Sequence, residues 1–356
     1  MQININRNHF AGVVKKFAGF VAKKSTIPIL GGVRFQSVNG KLFLTATDLE
    51  KRLTIGLTDC DAEVDFVVLF SKLHAQAQLA KADDISLEFD GKTLLMTSSR
   101  SKVKFNTFSG ADYPDIAPIS DVSLQVVVAA NEYLDSLKFA GRFVTVDDSR
   151  RILHGVFHSI KDGKLTLVAS NGRGLGQSQL DVSSEDIAGF VIPAATAQVM
   201  DVFSGQENVT IHISDTMARC QAGDMIMDTQ LVQGHYPNVD QVIQGAVKQA
   251  TNTIVFDSNE FAATAAPVYA ACGNDVVHVK FGKEIVIHSQ GADASADNTM
   301  PADSHTGDEG EFIFNAALLG KAITSGKLSV RFGGSDIPVF FNYDNKMALL
   351  MPLRMR

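Results

Sequence analysis

The sequence predicts an α+β protein made of three tandem copies of one repeat, and three observations carry that prediction. A strand-like run passes into a helix-like run at three places: Leu124, Val126 and Val128 before Asn131, Ile3 and Ile5 before Asn8, and Ile254 and Phe256 before Asn259. A second strand-to-helix passage centres on Ser71, Pro193 and Asn315, evenly spaced at 122 residues. After each of these come two short strands joined by a tight turn. The pattern restarts so as to divide the chain into 1–121, 122–247 and 248–356, each long enough to bury a core of its own.

Taken in order, the first repeat opens with the strand-like Gln2-Ile3-Asn4-Ile5-Asn6. Phe10, Val13, Val14, Phe17 and Val21 follow at helical spacing. Asn8 and Asn131 are residues suited to cap a helix, because an Asn side chain accepts a hydrogen bond from a free backbone N–H. Leu69-Phe70 ends a strand and Ser71 opens the second helix; strands 85–89 and 93–97 then pair across Asp90-Gly91. The middle repeat places Pro193 in the first turn of its second helix, where the missing N–H costs nothing, and pairs 209–213 with 217–221. In the third repeat a helix over 260–271 contains Pro267, which predicts a kink. Asn315 caps the last helix, and 328–332 pairs with 339–342 across Gly333-Gly334. Tyr113-Pro114 and Tyr236-Pro237 stand 123 apart and mark exits to the linkers. The Asp-rich stretch 291–310 reads as a loop or a weak edge strand.

Composition narrows the function. A hydrophobic content of 45% with 20% charged residues is that of a water-soluble globular chain, and no apolar run approaches the roughly 20 residues that span a bilayer. The opening residues lack the apolar core of a signal peptide, which predicts the cytoplasm and no membrane partner. Cys60, Cys220 and Cys272 are odd in number and far apart, as reduced structural thiols are. A net charge of −7 excludes a surface that coats nucleic acid and leaves room for a locally basic one. Gly172, Gly174 and Gly176 have GxGxG spacing but lead into a strand, so they form no phosphate loop. His154 and His158 lie in a β-type run and read as structural. Asp83-Asp84 and Asp147-Asp148 lack the remaining ligands of a calcium loop. No nucleophile elbow, carboxylate pair or cofactor motif is present, so the reading is noncatalytic with no cofactor. The competing readings are a repeat scaffold with peptide pockets and an enzyme with a site at a domain junction.

Several segments in fixed order resemble the bacterial sliding clamp family, the beta subunit of the replicative DNA polymerase. They are Ser25-Thr26-Ile27-Pro28-Ile29-Leu30-Gly31, Leu44-Thr45-Ala46-Thr47-Asp48-Leu49-Glu50, Asp148-Ser149-Arg150-Arg151-Ile152-Leu153-His154-Gly155, Val168-Ala169-Ser170-Asn171-Gly172-Arg173-Gly174-Leu175, Tyr236-Pro237-Asn238 and Leu350-Met351-Pro352-Leu353-Arg354. The resemblance implies three DNA-clamp domains per chain and a head-to-tail homodimer forming a six-domain ring around double-stranded DNA. Size agrees: a 120-residue globule is roughly 35 Å across, so three leave a hole of about 5 Å and six leave about 35 Å. Partners implied are the polymerase catalytic subunit, the clamp-loader complex, which consumes the ATP, and other proteins carrying a clamp-binding motif.

A sliding protein needs phosphate contacts and must avoid base edges. Lys15, Lys16, Lys23 and Lys24 on the first helix, and Lys138 and Arg142 on the middle one, are the candidates for the inner wall. By resemblance Lys24, Asp147, Arg151 and Ile152 align with DNA-contacting positions, of which Asp147 and Ile152 cannot pair with phosphate. The third repeat's first helix carries no Lys or Arg. The resemblance also implies a pocket for extended peptides between the second and third repeats, formed by Arg150, Leu153, Ser170, Arg173, Leu175, Pro237, Val242, Leu349, Met351, Pro352, Leu353 and Arg354. Leu, Val and Met give deformable apolar walls, and Arg can bond peptide carbonyls. Arg173 stands where a His is common in the family and Gly174 where a basic residue is common. A Pro inside the terminal strand, followed by Arg354 and Arg356, fits an edge beside an open groove. The resemblance places the dimer joint at Phe108 and in 291–310.

Overall fold

The computed structural model describes residues 1–356 apart from 115, 118, 146, 147, 273–275, 292, 355 and 356; the side chains of Asp148, Ser149 and Cys272 also lie outside the described set. Asp147 and Arg356, named above, therefore fall outside it. The helices are α1 Arg7–Lys16, α2 Phe70–Leu79, α3 Ala130–Gly141, α4 Ala194–Ala197, α5 Val239–Val247, α6 Ser258–Cys272 and α7 Ala316–Ala322. The order strand, helix, several strands, helix, several strands recurs three times along the chain.

Each strand runs straight into its helix, and this moves the caps. Asn6, not Asn8, caps α1, accepting from the backbone N–H of Asn8 and His9. Asp257 does the same for α6, accepting from Asn259 and Glu260. Asn131 already lies within α3, and Ser71 within α2. At α1 and α6 the last extended residue turns its side chain back onto the free donors, so the cap sits two positions earlier than composition suggests, while Leu69 before α2 makes no side-chain cap. Asn315 does cap α7, accepting from Leu318 at 3.0 Å, and Pro193 immediately precedes α4. α6 stays helical through Pro267. The three expected hairpins form as Asp84–Phe89 with Thr93–Ser98, Asn208–Ile213 with Met217–Ala222, and Lys327–Phe332 with Val339–Asn342.

The chain folds as two bodies, Met1–Asn131 with Val199–Leu231, and Glu132–Gln198 with Val232–Arg356. In the first, Gln2–Asn6, Asp84–Phe89, Thr93–Ser98 and Ser101–Asn106 make a four-stranded antiparallel sheet. Its nine-stranded sheet joins strands of the first repeat to Leu124–Ala129 and the three strands between 208 and 230, through the pairing of Met225–Gln230 with Lys51–Asp59. In the second body, Gly174–Asp181 pairs with Lys346–Leu350 and joins four strands of the middle repeat to the third in another nine-stranded sheet. Sheets therefore run across the points where the sequence pattern restarts. Ser295–Pro301, within the Asp-rich stretch, forms the edge strand of the second body's four-stranded sheet, paired with Glu284–Gln290.

Matching positions fill the two cores. Phe10, Phe17 and Phe20 are fully buried, and Phe35 stacks on Phe66 at 5.0 Å. In the second body His158 stacks on Phe190 at 4.9 Å, donates from Nδ1 to the Val156 carbonyl and accepts at Nε2 from the Tyr133 hydroxyl at 3.1 Å. Burial holds its pKa down to about 4, so it is a neutral core residue. Cys60 and Cys220 are buried free thiols, and burial with the nearby Asp228 charge pushes Cys220 up to about 12. Among the described residues no helix is long and apolar enough to cross a membrane.

Candidate functional site

The groove residues expected from the sequence all lie in the second body, around one tight turn and one terminal segment. The turn is 170–174. Ser170 Oγ donates to the Gly174 carbonyl at 2.9 Å and accepts from Gly172, while Asn171 Oδ1 accepts from the N–H groups of Arg173 and Gly174. Gly172 takes φ +81, and a Cβ there would come within 2.6 Å of Arg150 Nη1. The left-handed backbone favours glycine here, and the guanidinium lies against the face that a Cβ would occupy. Arg150 Nη2 donates to the Asn171 carbonyl at 3.3 Å. At Gly174 a Cβ would meet Leu350 Cδ2 at 2.9 Å and the Phe143 ring at 3.3 Å.

The floor is a row of residues in register across paired strands. Ser170 faces Leu175, Leu175 faces Leu349, and Leu349 faces Phe340. Leu175 and Leu349 are buried, and with Val168 and Phe340 they pack against Ala246 and Ala250, with Tyr236, Val239, Ile243 and Val247 around them. α5 therefore lies on this row, started by Asn238, whose Oδ1 accepts from Gln241 at 3.2 Å. Its other side is open: Val242 is 56% exposed. The terminal segment leaves the row beside the turn. Met351 donates to the Arg173 carbonyl at 2.9 Å and Leu353 to the Ile313 carbonyl at 2.7 Å, leaving their side chains 41% and 38% exposed. A cavity of about 390 Å³ opens beside Leu353, on the side of the terminal segment away from the turn, lined by Ile313, Pro352, Leu353 and Arg354 together with the polar Glu311, Ser335 and Asp336. Two large apolar side chains held in water by a hydrogen-bonded backbone, beside exposed Arg150, Arg173 and Arg354, form a surface suited to an apolar segment with polar edges. Leu153 is buried, and Pro237 is exposed next to the half-buried Tyr236, whose hydroxyl is pushed up by burial.

The basic candidates are less uniform than their spacing suggests. α1 ends at Lys16, and Phe17–Gly19 tightens into a 3₁₀ turn, so Lys23 and Lys24 are exposed but stand beyond the helix. A Cβ on Gly19 would meet Val199 at 2.4 Å, so this turn packs closely on a neighbouring segment. Lys15 is exposed, whereas the Lys16 ammonium donates to the Val202 carbonyl and burial lowers its pKa. Lys138 is exposed on α3. Arg142 lies just past the end of α3, 5.8 Å over the Phe139 ring and donating to the Lys321 carbonyl. Arg151 is exposed and Ile152 half-buried in the 3₁₀ turn Asp148–Leu153. Phe108 sits 38% exposed on the edge strand Phe108–Ser109 of the first body's large sheet.

Comparison with known proteins decides what this surface belongs to. Residues 1–117 match the family model of the DNA polymerase III beta subunit N-terminal domain, and residues 132–238 match that of its central domain. Together the two matches cover well over half of the chain. The chain belongs to the DNA polymerase III beta-subunit family. Sliding clamps of this family supply its curated relatives, among them the beta sliding clamp of Salmonella typhimurium, 26% identical over 258 residues and 68% of each chain. That of Chlamydia muridarum is 25% identical over 248 residues, again 68% of each. The fold is also that of solved clamps: the Pseudomonas aeruginosa DnaN sliding clamp bound to griselimycin (TM-score 0.90, 20% identity) and the Thermotoga maritima beta subunit (TM-score 0.90, 19% identity), each covered over 100% of both chains.

Family membership gives the function class, a DNA sliding clamp, which is a noncatalytic accessory subunit of DNA polymerase. Within this clamp, sequence reading missed α5, Phe143 and Arg331. α5 had a signal: Asn238 as a cap, then Val239, Ile243 and Val247 at helical spacing. Phe143 and Arg331 had none, because their roles depend on strands and helices distant in sequence.

Proposed function

We propose that this clamp encircles duplex DNA as a head-to-tail homodimer, slides without reading sequence, and holds its polymerase through the groove around Met351 and Leu353. The observation that carries the groove is the pairing of a buried apolar floor, Leu175 and Leu349, with two exposed apolar residues on a backbone pinned to Arg173 and Ile313. A partner's extended segment would bury Met351, Leu353 and Val242 and bond to Arg150 or Arg173. Clamp-loader subunits and other proteins bearing such a segment compete for the same place. The division into domains 1–121, 122–247 and 248–356, the joint at Phe108 and the 291–310 stretch, and a cytoplasmic location complete the reading.

DNA contact falls to Lys15, Lys23, Lys24, Lys138, Arg142 and Arg151, with Lys16 the weakest member because its ammonium is already engaged. α6 carries no Lys or Arg, so direct affinity is weak, drops as salt rises, and retention is topological. The loaded protein should stay on nicked circular DNA and leave once the circle is cut. Equal retention on the linear form would end the ring reading. For the groove, a Met351→Ala, Leu353→Ala double variant should keep its melting temperature and lose at least about tenfold in affinity for a polymerase tail peptide; unchanged binding would remove the assignment.

A further inference from the structure

The apolar row under α5 ends in a charge. Across the ladder from Phe340 stands Arg331, and across from Arg331 stands Thr253. Arg331 Nη2 donates to the Ala250 carbonyl at 3.0 Å and to the Val247 carbonyl at 3.4 Å. These carbonyls close the C-terminal end of α5, where a helix concentrates negative potential and a fixed cation is favourable. Strand Lys327–Phe332 supplies a rigid base for that cation.

The helix needs such an anchor. At nine residues α5 is too short to be stable alone, so its position is set by what it docks on. Most of that docking is non-directional apolar contact: Ala246 and Ala250, with Val239, Ile243 and Val247 around them, pack on Leu175, Leu349 and Phe340. Apolar contact fixes which face is down but fixes displacement along the row weakly. Asn238 bonds within the helix's own first turn. Arg331 is on the sheet and bonds the other end, which converts loose apolar docking into one position.

We propose that Arg331 is a positioning residue for the partner groove: by tying the end of α5 to the sheet that carries Phe340 and Leu349, it sets where Val242 stands relative to the groove floor. This rests on the groove reading above.

The test uses the full chain, a fluorescently labelled synthetic peptide copied from the polymerase tail, and amide hydrogen exchange over 239–250. Arg331→Ala should weaken peptide binding about tenfold and speed exchange at the end of α5, as loss of a charge-assisted bond does. Arg331→Lys, which keeps one charged donor, should recover part of the affinity with the melting temperature unchanged. A merely structural role would lower the melting temperature of both variants without this graded loss of affinity. If Arg331→Ala does not fold, weaker binding by a normally melting Arg331→Lys still supports the proposal, and wild-type binding by it overturns the proposal. A peptide that binds wild type, fails on Met351→Ala, Leu353→Ala and binds Arg331→Ala as well as wild type overturns the role of Arg331 alone. A peptide insensitive to Met351→Ala, Leu353→Ala overturns the groove and the proposal together.

Discussion

The two nine-stranded sheets carry the same six-residue row in the same register and with opposite chemistry. In the second body the row is Thr253, Arg331, Phe340, Leu349, Leu175 and Ser170. In the first it is Gln125, His212, Arg219, Asp228, Arg52 and Thr47. Where one has Phe340, Leu349 and Leu175, the other has a desolvated ion triad: Asp228 is 1% exposed and accepts from Arg219 Nε at 2.6 Å and Arg52 Nη2 at 2.5 Å. Arg52 Nη1 goes on to bond the Ile116 carbonyl. The adjoining turns match bond for bond, since Thr47 and Asp48 make the same contacts as Ser170 and Asn171. Identical backbone thus supports a sealed polar seam in one body and an apolar floor in the other. At the row itself the second body presents an apolar face, whereas an incoming apolar segment at the first would have to break hydrogen-bonded charges.

The largest test of that contrast is Asp228→Ala. Removing the carboxylate leaves two guanidinium groups half-desolvated together and should cost about 3–5 kcal/mol in urea unfolding; a loss under about 1 kcal/mol would mean that the triad is not what seals the first row.

Acid should separate the two bodies next. His158 and Phe190 in the second occupy the places of Phe35 and Phe66 in the first. With its pKa held at about 4 in the folded state, His158 stays neutral between pH 6.5 and 4 while the unfolded chain takes up the proton. Stability is therefore full above about pH 6.5 and falls towards pH 4 by up to about 3 kcal/mol. A Tyr133→Phe, His158→Phe variant, which installs the first body's residues, should flatten that slope; an unchanged profile would refute the account.

The smallest effect lies in the turns. Leu49 has φ +76, the place of Gly172 at φ +81. Leu49→Gly should be neutral or stabilising by about 1 kcal/mol, whereas Gly172→Leu should destabilise and displace Arg150. Thermal unfolding of both variants checks the pair, and a destabilised Leu49→Gly would show that the exposed leucine makes a contact worth more than its strain.

The sequence alone determined the threefold element order, the hairpins and the buried stripe of α1 at Phe10, Val13 and Val14, because apolar period and turn residues are local properties. It also carried the motif residues of the proposed groove, since Arg150, Ser170, Arg173 and Met351 stand in continuous segments. It misplaced the caps by two residues, at Asn8 against Asn6, because a side chain's capping role depends on where the extended backbone ends. It placed Lys23 and Lys24 on a helix that stops at Lys16, and gave no hint that Lys16 is engaged by Val202. Tertiary structure alone decided the rest: that the middle repeat shares its strands between two sheets, that Phe143 fills the space above Gly174 and Gly176, and that Arg331 reaches α5. Those facts arise from contacts between segments far apart in sequence, 81 residues in the case of Arg331 and Ala250, and such contacts are selected by the summed packing of whole faces, which no local pattern contains.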